Sequence, residues 1–325
     1  MHEESFEPVD RESFERRLDA VRSAVTDPAA GVFGPASMTW RVDREAALFL
    51  GAGRALLLQL AHPWVAAAIA DHSRALDDPL GRFHRTFGIV FAMVFGTLDD
   101  ALGAARRLHQ RHAAIEGVLS SAAGPFASGS AYRANEVSAL RWVHATLVET
   151  SLLAHDLVLP PLSPAERDRY YAESHTLAAL FGIPRAALPA TWRDFVTYNA
   201  AMQRSGNLTV TPAARSIAER VLAGGGKAWL RAPVWYRTLT AEMLSERLRQ
   251  GYGLEFGERE REASSRAVAQ LRRLYPRLPK QLRFVGPYLE AQGRMAGKPS
   301  PGAATQLANL FWIGRRRLGE QSPRR

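Results

Sequence analysis

Apolar residues recur at helical spacing through almost every stretch between helix breakers, and no run sustains the alternation of a strand. The pattern predicts helices near 12–25, 43–60, 63–71, 80–95, 98–119, 135–157, 164–181, 191–203, 211–222, 236–250 and 258–275, with a shorter one near 283–292. End signals agree with several of them. In SPAE, Ser163 is placed to cap a helix whose first position is Pro164 and whose capping-box acid is Glu166, and Gly182 stands where that helix must stop before Ile183-Pro184. The reading is an all-α protein: a single multi-helix domain over about 40–295, an N-terminal extension (1–39) with one helix, and a basic C-terminal tail (296–325).

Composition narrows the chemistry. The chain has no cysteine, which removes disulfides, thiolate-bound zinc, iron–sulfur clusters and thiol nucleophiles. Any metal must be held by His, carboxylate or Tyr. The formal charge of +10 suggests nucleic acid until its distribution is considered. From Ser264 onward there are 13 Lys/Arg against 2 acids, whereas residues 1–160 carry 15 Arg and 19 acids. The excess therefore belongs to the C-terminal end, and no aromatic-interleaved basic stretch accompanies it, so no nucleic-acid partner is expected. A solvated or membrane-surface-seeking end fits better.

The first residues, MHEESFEPVDRESFERRLDAV, show no apolar signal segment. The apolar stretch 46–70 is broken by Arg54 and by His62-Pro63, and 86–96 is shorter than the ~20 residues that a bilayer requires. The expectation is a cytoplasmic protein with peripheral membrane contact through its basic tail.

Eight of the nine histidines lie between His62 and His175. His144, in LRWVHATLVETSLLAHD, falls on the apolar face of its predicted helix. It reads either as a core histidine satisfied by a carbonyl or hydroxyl, or as a metal or cofactor ligand. No Glu-x-x-His occurs, which removes ferritin-like and gluzincin sites. His109 and His112 stand one turn apart among arginines, and His155-Asp156 resembles the pair of helical metal-dependent phosphohydrolases. On one helix His155 lies ~16 Å along the axis from His144, too far for a shared metal. In GRFHRTF, Arg82, Arg85 and Thr86 form one polar stripe beside apolar Phe83, Phe87, Val90, Phe91 and Val94. The stripe reads either as ion pairs to Asp77 and Asp78, or as an anion or oxygen site against an apolar wall.

Taken in order, QLAHPWVAAAIADHS, DPLGRFHRTFGIVFAMVFGT, RLHQRHAAIEG, YRAN, LRWVHATL, PLSPAERDRYYAES, FGIPRAALP and WYRTLTAEMLSERLRQGYGLEF resemble the bacterial branch of the MpaB/rubber-oxygenase family over roughly 40–255. The resemblance implies a globin-like helical core that holds haem b and uses dioxygen on carbon–carbon double bonds of isoprenoid chains. It assigns the axial iron ligand to His144 and a distal stripe to Arg82, Arg85 and Thr86, with arginine at 85 where rubber oxygenases carry lysine. A guanidinium there hydrogen-bonds dioxygen or a propionate rather than closing the iron. The catalytic glutamate of the rubber enzymes has no counterpart in HPWVAAAIADHS, so polyisoprene itself is not the expected substrate.

His62 and His72 are further distal-side candidates, with a kink contact and a helix-end cap as their structural alternatives. The resulting expectation is a haem b-dependent oxygenase acting on a hydrophobic isoprenoid-like or other unsaturated molecule. The alternatives are a haem or lipid carrier or sensor without turnover, and a helical metal hydrolase built on His109, His112, His155 and Asp156.

Overall fold

A computed structural model of the chain describes residues 8–72, 78–225 and 231–320. Among those residues lie sixteen α-helices and one two-stranded sheet, an all-α architecture. The arrangement follows from the central helix α7 (Val137–Val158), whose buried residues include Leu140, Trp142, Ala145, Val148, Thr150 and His155, on all its sides. A helix buried all round must be enclosed. The 3-10 turn Ala46–Gly51, α3 (Ala52–Leu60), α8 (Pro164–Leu180) and α13 (Glu258–Leu274) enclose it. The approach is closest at Gly51, where a Cβ would sit 2.4 Å from Thr150 Cγ2; only glycine lets the two backbones come this near.

Two apolar clusters flank α7. One joins α1 (Arg11–Ala24), α5 (Pro79–Phe95), α6 (Leu98–Ala113) and α8 through Phe14, Leu18, Met93, Phe95, Leu102 and Leu180. The other joins α3 and α7 to α9 (Trp192–Arg204), α10 (Pro212–Leu222) and α12 (Glu246–Tyr252), through residues such as Leu58, Trp142, Phe195, Ile217 and Leu248. Two fully buried indoles bind neighbouring elements by their single donor. Trp40, on α2 (Met38–Asp43), donates to the Val94 carbonyl at 2.8 Å, and Trp142 donates to that of Leu58 at 2.9 Å.

The helix around SPAE starts and stops as its end signals require. Ser163 and Glu166 form a reciprocal capping box, and Gly182 at φ +87° lets Ile183 N–H reach the Ala178 carbonyl. Elsewhere the predicted segments divide. The 43–60 stretch becomes the end of α2, the 3-10 turn and α3, while 236–250 splits into α11 (Val234–Glu242) and α12. The 98–119 helix stops at Ala113, and the chain then forms β1 (Glu116–Val118), paired antiparallel with β2 (Ala131–Arg133). At the C-terminal end, α14 (Lys280–Arg283) and α15 (Gly286–Met295) precede α16 (Ala303–Ile313). This last helix lies within the segment expected as a basic tail, and it packs on α5 and α15. Among the described residues no helix is long and apolar enough to cross a membrane.

Glu45 fastens the C-terminal helices to the centre. Its carboxylate, 1% exposed, accepts from Arg283 Nε and Nη2 at 2.7 and 2.8 Å and from the Tyr275 hydroxyl at 3.0 Å. Beside it, Val285 N–H donates to the Arg44 carbonyl. Removing one partner of such a pair strands the other, so Glu45→Ala should lose about 3 kcal/mol of unfolding free energy by urea denaturation. A loss below about 1 kcal/mol would show that the contact is dispensable.

Candidate functional site

His144 sits in the N-terminal half of α7 and is 1% exposed. Its Nε2 donates to the Ser174 carbonyl of α8 at 2.9 Å, and the Phe181 ring stands edge-on to it. Burial drives its pKa down to about 4 against the opposing pull of that carbonyl, so the imidazole is neutral. The carbonyl partner fixes the proton on Nε2, because a carbonyl oxygen can only accept.

Arg82, Arg85 and Thr86 share the first two turns of α5, which start at the Asp78 cap. Arg85 reaches Asp78 Oδ2 at 3.4 Å in a half-exposed pair, one of the two contacts anticipated for the stripe; Asp77 lies outside the described residues. Thr86 is exposed. Arg82 behaves differently. Its Nη1 is buried with no hydrogen-bond partner among the described residues, and burial, then Arg85, lowers its pKa. A buried donor on a cation without a partner is a place suited to an anion. Next to it stands an aromatic wall in which Phe49 of the 3-10 turn touches Phe83, Phe87, Phe91 and Trp312. Phe49 belongs to the 3-10 turn that packs on α7, and its ring meets the arginine helix. No hydrogen bond or ring contact joins His144 directly to the stripe among the described residues.

The other two candidates lie under the β1–β2 hairpin. His72, exposed at the end of α4 (Pro63–His72), donates through Nε2 to the Glu116 carbonyl at 2.9 Å, so it ties that helix to the hairpin. His62, at the junction of α3 and α4, is fully buried against Trp64 and Phe126. Neither of its ring nitrogens has a partner among the described residues, and burial lowers its pKa to about 4. It therefore does not satisfy the kink carbonyls that its place before Pro63 suggested.

The groups proposed for a metal hydrolase do not assemble. His109 stacks on Phe14 at 4.2 Å, while His155 lies beside Asp156, whose carboxylate is bound by Arg167. Among the described residues no three His, Asp or Glu side chains come close enough to hold a metal ion. Buried polar contacts that the sequence pattern did not reveal surround α7 instead. Arg54 of α3 binds Glu149 and Thr150, and the Asp43 carboxylate accepts from Tyr170, its pKa raised to about 7 mainly by burial. An arginine inside the apolar run 46–70 was the available signal for the first; nothing in the local pattern marked the second.

The family model for the catalytic domain of ER-bound oxygenase mpaB/B'/rubber oxygenase matches residues 39–276. The chain belongs to this mpaB/rubber oxygenase family. That membership makes it an oxygenase-type enzyme and encloses His62, His72, the α5 stripe and His144 within the matched segment. No curated protein and no solved structure matches the chain.

A pH dependence follows for this member of the family. Above the ordinary histidine value of 6.5, the buried rings of His62 and His144 are neutral whether the chain is folded or not, and add no pH dependence. As pH falls from 6.5 towards 4, the unfolded chain takes up protons that the folded one refuses, so stability is lost across that window. His62→Leu should lose less stability than wild type between about pH 7.5 and pH 5 in chemical denaturation, and equal losses would refute the assignment.

Proposed function

We propose that the protein is a haem b-dependent oxygenase that uses dioxygen on a hydrophobic isoprenoid-like or other unsaturated molecule, with His144 as the iron ligand. The observation that carries this reading is a neutral, buried imidazole on the central helix of an oxygenase-family chain. The residues fit haem in kind. A neutral imidazole is the form that ligates iron, an unpartnered buried guanidinium nitrogen suits a propionate or bound oxygen, and the phenylalanines of α5 offer an apolar wall. The donor from His144 to Ser174 is the contact that loading must exchange if Nε2 is to reach iron.

Bound haem would supply the activation of dioxygen for addition to a carbon–carbon double bond. The chain's own contributions are positional and electrostatic. Arg82 offers a fixed donor to an anionic group, Arg85 places a second positive charge one turn on, and Thr86 adds a hydroxyl on the same face. Phe83 and Phe87 keep water from an alkene beside them. His62 keeps one donor and one acceptor in an apolar setting, where either is free to hold a polar atom of ligand or solvent.

A carrier or sensor without turnover is the second reading, favoured by the state of the acids. On α4 and α7, Asp71 is bound by Tyr132, Glu149 by Arg54 and Asp156 by Arg167, and α5 has no acid at all. No carboxylate on these helices is left to act as a base.

Haemin titrated into the purified protein should produce a Soret band at one equivalent. His144→Ala should abolish it while retaining the helical circular dichroism, and a spectrum without such a band in the wild type would sink both haem readings. Arg82→Ala should keep the band and weaken haem retention by about tenfold, the loss of one charge-assisted hydrogen bond. Oxygen uptake by the coloured protein with an unsaturated lipid decides between oxygenase and carrier.

A further inference from the structure

The C-terminal elements carry an apolar surface with no partner among the described residues. On α16, Trp312 and Ile313 turn inward to Phe49, Phe83 and the first core cluster, while Leu307 and Phe311, each 68% exposed, point away with Leu310 beside them. Their spacing of i, i+3 and i+4 puts them on one face. The helix α14 packs against α16 and carries Leu282, 67% exposed, with Leu278 and Leu274 exposed at four-residue steps before it.

Cations rim this surface. Arg273, Arg277 and Lys280 are exposed between those leucines, and Arg316 and Arg317 follow α16. From 272 to 320 the only acids are Glu290 and Glu320, and Glu290 is occupied by Asn309 and the Leu318 amide.

We propose that this α14–α16 face docks on an anionic lipid bilayer, with Leu282, Leu307 and Phe311 entering the interface and the arginines meeting lipid phosphates. Apolar side chains protruding from a positive surface are the chemistry by which a folded protein binds such a membrane without spanning it. A second copy of the chain is a poor occupant, because a symmetric contact through this face sets the two arginine groups against each other. The face also lies on the outer side of the helix whose inner side meets Phe49 and Phe83, so docking brings the α5 wall next to a lipid reservoir. The proposal stands on this surface alone and does not require haem.

Vesicle flotation of the full chain, without added haem, tests it. Wild type should float with vesicles containing about one third phosphatidylglycerol and remain behind with pure phosphatidylcholine, and high salt should release it. Leu307→Asp combined with Phe311→Asp should weaken binding at least about tenfold, and Arg273→Gln with Arg277→Gln should do the same by removing charge alone. All these positions are exposed, and unchanged thermal melts show that the variants fold. Equal flotation with neutral vesicles, wild-type flotation by the Asp variant, or a wild-type dimer in light scattering that the Asp variant dissolves would each overturn the proposal.

Discussion

A helix enclosed on all sides has no solvent to which it can turn a polar group, so each polar side chain on it needs a partner within the protein. That constraint on α7 organises much of the molecule. Trp142 takes a carbonyl from α3, Thr146 accepts from Gln59 of α3, and Glu149 and Thr150 share Arg54. His144 takes a carbonyl from α8. The neighbours are held in register by these contacts as much as by apolar packing, and Gly51 sets how close one of them comes. A ligand that takes His144 must therefore be accommodated between elements already fixed by other bonds.

Most helices were legible because their signals are local. The boundaries of α8 were written in Ser163, Glu166 and Gly182, and an observer with the sequence alone could place them. The β1–β2 hairpin was not legible, since strands of three residues are too short to display alternation and Gly117 by itself did not end the helical pattern read over 98–119. The helix α16 was missed for a different reason. A Lys-Pro-Ser-Pro-Gly run and a string of arginines made the segment look solvated, whereas Trp312, which helps decide its place, meets Phe49 and Phe83 more than two hundred residues away.

The candidate site shows the same division between local and distant information. The stripe Arg82, Arg85 and Thr86 could be read from spacing, and the structure leaves those residues on one face. What spacing could not tell was their inequality: Arg85 has Asp78, while Arg82 has a buried nitrogen with no partner among the described residues. Likewise His72 and His62 looked equivalent in the sequence. One caps a helix onto a hairpin carbonyl; the other is sealed beside Trp64 and Phe126 with both nitrogens unmet by any described residue. Unsatisfied valence, rather than residue type, separates the residues available for chemistry from those used up by the fold.

The contact of Glu45 with Arg283 has a consequence for how the molecule is divided. The segment that matches the oxygenase family ends at 276, yet Glu45 lies inside it and Arg283 beyond it, and His84 of α5 likewise donates to the carbonyl of Phe311. The unit recognisable by descent is thus shorter than the unit that folds. The residues past 276 return a cation to Glu45 and a carbonyl to His84, so a chain cut at the family boundary would strand a buried carboxylate that the matched segment cannot neutralise by itself.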